Sequence, residues 1–111
     1  MLTGAYMRTC VTPETPSFLD GQRLPEYNGV SAELNVTNLV GEEAELEAEL
    51  QQSNDGSNWK LVGNAAPITG VGVLLLNPSA PFSASLFRLR IMSIGPTSAI
   101  VAVRFTQWRR P

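Results

Sequence analysis

The chain has no histidine, and its 111 residues include a single cysteine. Without histidine, Ser-His-Asp and Cys-His catalysis, histidine-ligated zinc and a histidine pH switch are all excluded. Cys10 has no internal partner, so the core rather than a disulfide must hold the fold. Its expected place is that of a small, half-buried apolar residue, with an intermolecular bridge or a reactive thiol as the alternatives. Long apolar runs are missing too. The longest, Val71 to Leu76, has six residues, whereas a spanning helix needs about twenty, so no membrane partner is expected. The opening Met1-Leu2-Thr3-Gly4-Ala5-Tyr6 lacks a basic start followed by an apolar stretch. No signal peptide is therefore expected, and synthesis in the cytoplasm is.

What is present suits one folded domain. Apolar residues make up 43% of the chain, ordinary for a globular protein. A chain of this size buries roughly two-thirds of its unfolded surface. The segment Glu43-Ala44-Glu45-Leu46-Glu47-Ala48-Glu49-Leu50-Gln51-Gln52 favours a helix by propensity alone. Its period opposes one. Ala44, Leu46, Ala48 and Leu50 recur at every second residue, and on a helix successive members would point about 200° apart. On a strand they share one face and the glutamates share the other, so a strand with a solvated acidic face is expected.

The same alternation places Val30, Ala32, Leu34 and Val36 on one face, opposite Ser31, Glu33, Asn35 and Thr37. The short link Asn38-Leu39-Val40-Gly41 predicts that 30–38 and 42–52 form an antiparallel hairpin. Ser53-Asn54-Asp55-Gly56-Ser57-Asn58 is a dense turn signal, after which Trp59–Gly63 resumes a strand and closes a second hairpin. Beyond a loop at 64–70 come Val71–Leu76 and a breaker at 77–81. In 85–94, Phe87, Leu89 and Ile91 share one face, with Arg88, Arg90, Leu86 and Met92 on the other. In 99–108, Val101, Val103 and Phe105 alternate with Ala102, Arg104 and Thr106. Six or seven short strands without a convincing helix predict an all-β fold, an antiparallel β-sandwich or jelly roll. Residues 1–29 are expected to form an N-terminal arm: an edge strand near 6–11, then a Pro-rich extended loop at 12–29. Residues 30–111 are expected to form the sandwich.

Charge is unevenly placed. All ten acids lie in 1–55 with only Arg8 and Arg23 beside them, a net charge of −8. Residues 56–111 have no acid and six bases, Lys60, Arg88, Arg90, Arg104, Arg109 and Arg110. Either arginine rows pair with glutamate rows inside one molecule, each pair worth a few tenths of a kcal/mol, or opposite patches meet between copies and direct assembly. The second possibility makes Glu43, Glu45, Glu47, Glu49, Arg88, Arg90, Arg104, Trp108, Arg109 and Arg110 the candidate interface. The tail Gln107-Trp108-Arg109-Arg110 has features that touch nucleic acid. The glutamate row and a sequence pI of about 5.0 oppose a polyanion.

The remaining motifs carry little chemistry. Asn54-Asp55-Gly56-Ser57-Asn58 offers calcium one carboxylate, and a tight turn explains it as well. Solvated glutamates on one strand face stand about 6.5–7 Å apart but lack the opposing walls of an acid–base cleft. Asn35-Val36-Thr37 matches a glycosylation triplet, and Gly70-Val71-Gly72 leads to no phosphate loop. Trp59 is expected to cap the core and Trp108 to meet a ligand or partner chain; on a sandwich, an exposed tryptophan can also stack a sugar. No catalytic, cofactor-binding or metal-binding residue is assigned.

The stretch Leu50-Gln51-Gln52-Ser53-Asn54-Asp55-Gly56-Ser57-Asn58-Trp59, with the later Phe87-Arg88-Leu89-Arg90, resembles two groups. One is the discoidin-like jelly rolls, but the chain is short for that group and lacks its terminal cysteine pair. The other is the small β-sandwich proteins of tailed-bacteriophage particles, including capsid decoration (cement) proteins. The resemblance spans little more than half the chain, and only the hairpin is specific. It implies a non-enzymatic virion protein, made in a host cytoplasm and displayed in many copies on a shell, often as a homo-oligomer. Its partners would be the shell protein and copies of itself. The alternative is a carbohydrate-binding or adhesion module that uses an exposed tryptophan.

Overall fold

The structure, a computed structural model, describes residues 1–78 and 81–109. Arg110 of the expected interface lies outside them. The described residues form nine strands and no helix: β1 Leu2–Thr3, β2 Met7–Val11, β3 Ser17–Gln22, β4 Gly29–Val40, β5 Glu45–Ser53, β6 Lys60–Ile68, β7 Gly72–Leu76, β8 Leu86–Ile94 and β9 Ser98–Trp108. Two antiparallel sheets face each other. The first runs β1-β9-β4-β7, with β2 also on β9, and the second runs β3-β8-β5-β6. The fold is a β-sandwich, and among the described residues no helix is long and apolar enough to cross a membrane.

Period-two alternation builds the layers. Leu46, Ala48 and Leu50 of β5 are fully buried, as are Leu89 and Ile91 of β8 and Val101 and Val103 of β9. Burying each of the larger side chains contributes about 1.5–3 kcal/mol. Phe87 joins the layers edge-on, its ring centroid 4.8 Å from that of Phe105 and 6.5 Å from that of Phe82. In β4, Thr37 is an extra residue between the pairs Val36–Val101 and Asn38–Ile100. Its Oγ1 donates to the Ile100 carbonyl at 3.1 Å. This bulge reverses the alternation, so Leu39 rather than Asn38 turns inward.

The structure corrects the sequence expectations at several points. The hairpin expected between 30–38 and 42–52 does not form: β4 lies between β9 and β7, and β5 lies between β8 and β6. Left-handed backbone at Gly41 (φ 146°) and Glu43 (φ 53°) carries the chain from one sheet to the other. Each strand then sets its apolar face against the opposite layer. The loop expected at 64–70 is strand as far as Ile68.

Residues 1–29 are more than an arm on the sandwich. β2 pairs with β9 in the first sheet, and Ser17–Gln22 pairs with β8 in the second. Arg23 ties down the following segment, with Nε donating to the Ala84 carbonyl at 2.7 Å and Nη1 to the Tyr27 carbonyl at 2.6 Å. Cys10 sits exposed on the outside of β2 rather than half-buried.

Candidate interaction surface

The outer face of the second sheet collects five of the expected interface residues. Glu45, Glu47 and Glu49 project from β5 beside Ile94, Met92 and Arg90 of β8. Arg90 reaches Glu49 at 3.7 Å. Arg88 instead lies over two rings, 4.3 Å from the centroid of Phe18 and 4.1 Å from that of Trp59. Its Nε donates to Gln51 Oε1 at 2.7 Å. Trp59 therefore stacks outside the sheet and does not cap the core, and its indole N–H donates to the Gly56 carbonyl at 3.1 Å. Flanked by Glu49, the Glu47 carboxyl is held above the usual carboxylate range. The hydrogen bond shared with Glu49 is the main cause, followed by partial burial and the Glu49 charge, with Arg90 opposing.

Other expected residues fall elsewhere. Arg104 is on the outside of the first sheet, 2.7 Å from Glu33. Tyr6 completes this cluster: its hydroxyl donates to Glu33 at 2.6 Å and its ring lies under the Arg104 guanidinium. That hydrogen bond raises the phenol above its ordinary range. Trp108 lies against the backbone of Gly29, where an added Cβ would fall 2.4 Å from the indole. Glu43 belongs to the turn before β5 and not to the glutamate row. Arg109 is exposed just past β9.

The charge split along the chain thus becomes cross-strand alternation at two places, because β8 pairs with acidic β5 and β9 with β4. Surface pairs of this type contribute little, about 0–1 kcal/mol each. Acid remains concentrated at one end, where Glu42, Glu43 and Glu45 line an open depression of about 540 Å³ with Ile94 and Pro96. Among the described residues no group of three or more cysteine, aspartate or glutamate side chains is placed to hold a metal ion. Asp55 spends its oxygens within its own turn, on the N–H groups of Ser57 and Asn58, the Asn58 amide and the Ser53 hydroxyl.

The surface that sequence reasoning missed is the β7 edge. Val71, Val73 and Leu75 are 65, 64 and 59% exposed, and Val73 and Leu75 stand beside Asn35 and Glu33 of β4 on the outside of the first sheet. Among the described residues, β7 has β4 on one side and no strand on the other. The other edges carry the usual protection against further pairing. β1 is only two residues long, β2 has Arg8, β3 has Asp20, and β6 has Lys60, Pro67 and two register shifts. β7 has no charge, proline or bulge. The only hint in the sequence was the unbroken run from Val71 to Leu76, which reads equally well as a strand buried on both faces.

No family model matches the chain, and no curated protein matches it. Among solved structures, one described as the crystal structure of PirA is similar, with a TM-score of 0.61 and 15% sequence identity. The match covers 91% of this chain and 93% of that one. At that identity the likeness concerns the fold.

Proposed function

We propose that this protein is a non-enzymatic assembly module that docks on other protein through the β7 edge of its first sheet. The observation that carries this reading is the exposure of Val73 and Leu75 on β7, and of Val71 just before it, on the one edge among the described residues that is neither very short nor guarded by charge, proline or bulge. Unpaired strand edges with exposed aliphatic side chains favour further strand pairing. The absence of histidine supports a binding role over catalysis. The hairpin resemblance supplies the setting: a subunit that decorates a capsid-like shell. Cross-strand pairing of Glu49 with Arg90 and Glu33 with Arg104 makes apolar contact, rather than opposed charge patches, the driving term.

Light scattering at low and high salt, combined with co-sedimentation with assembled capsid shells, tests the proposal. The expected result is oligomers or shell-bound protein that persist at high salt, because burial of apolar surface is not screened. A chain that stays monomeric at every salt concentration and never sediments with shells contradicts it.

A further inference from the structure

We infer that β7 pairs with β7 of a second copy, antiparallel about a two-fold axis through Leu74. This rests on the assembly reading and deepens it by naming the partner and the register. β7 has five residues, Gly72 to Leu76, so a dyad at Leu74 sets Val73 opposite the partner's Leu75 and Leu75 opposite the partner's Val73. Both pairs are aliphatic and lie on the outer face. Leu74, opposite Leu34 of β4, meets its own copy on the core-facing side. The first sheet then continues from one molecule into the next, and the outward N–H and C=O groups of both edges gain partners.

A second copy fits this strip better than a different chain does. The strip has no charged or hydrogen-bonding side chain with which to read a foreign sequence. Nor does a dyad bring bare like charges together. Glu33 flanks Leu75 on β4, and it is held by Arg104 at 2.7 Å and by Tyr6 at 2.6 Å. The same register sets Pro78, which has no N–H, opposite Gly70, and so ends the ladder on both sides. A contact one short strand long falls below about 1,200 Å² in total, the weak and reversible class of interface.

Sedimentation equilibrium of the full chain in the Cys10→Ser background tests the pairing, since Cys10 is exposed and would otherwise cross-link. The expected result is a reversible dimer whose dissociation constant rises by at least about tenfold in Val73→Lys/Leu75→Lys, where four cations would converge. It should be unchanged in Ile100→Lys, a control on the same sheet face away from the edge. Val73→Cys/Leu75→Cys should oxidise to a covalent dimer linked between position 73 of one copy and 75 of the other. A dimer that survives Val73→Lys/Leu75→Lys, or a missing 73–75 link, overturns the inference and leaves the assembly reading standing. A monomer up to about 1 mM overturns it as well; if that monomer still sediments with shells, only the choice of partner has failed.

Discussion

Asp55 shows how one carboxylate can define a turn. It accepts hydrogen bonds from the N–H groups of Ser57 and Asn58, both at 2.8 Å, from the Asn58 amide at 2.7 Å and from the Ser53 hydroxyl at 3.0 Å. These bonds favour the charged form and hold its pKa well below the usual aspartate range. A depressed folded-state pKa contributes stability that is present above the unfolded value, about 3.9, and is lost as pH falls below it. Asp55→Ala should therefore lower the Tm at pH 7, with the gap from the parent narrowing as the pH is taken below 4 in thermal melts. Glu47 has the opposite sign. Its pKa is raised by Glu49, so ionisation costs the folded state stability, and protonation restores it as pH falls through the raised value. Glu47→Gln should raise the Tm at neutral pH by about 1–3 °C, and calorimetry should show that gain fading below the carboxylate range.

At the scale of strands, β3 is where local pattern and packing part company. Its inward set is Ser17, Leu19 and Gly21, and its outward set begins with Phe18. Gly21 lacks a side chain because the Phe87 ring fills that place: an added Cβ would fall 2.3 Å from it. Gly21→Ala should force Phe87 against Phe82 and Phe105 and cost about 1–3 kcal/mol, read as a lower urea midpoint with an unchanged slope. The same geometry leaves 17–22 without a strand signal in the sequence, since neither face keeps an apolar period. β5 is the converse case, because Glu45, Glu47 and Glu49 at every second position, with Leu46, Ala48 and Leu50 between them, alternate only on a strand. Which strands became neighbours was less accessible. A short glycine-bearing link reads as a hairpin, and only the left-handed backbone at Gly41 and Glu43 reveals a crossing between sheets. Exposure of β7 was equally hidden, because an apolar run does not state which of its faces meets water.

For the whole molecule, the sandwich architecture followed from strand count and alternation, whereas the candidate surface did not. The charge split along the chain largely resolves into neighbouring pairs, because β8 lies against β5 and β9 against β4. Trp59 and Trp108 likewise have one side of each ring committed, to Arg88 and to Gly29 respectively, which leaves less indole surface for a sugar. The β7 edge remains as the place where the molecule is least finished by itself. Amide hydrogen exchange measured from about 10 μM to about 1 mM addresses it most directly. The expected result is protection that grows with concentration and is confined to residues 71–77. Protection that appears on another edge, or exchange along β7 that ignores concentration up to full saturation with shells, would contradict it.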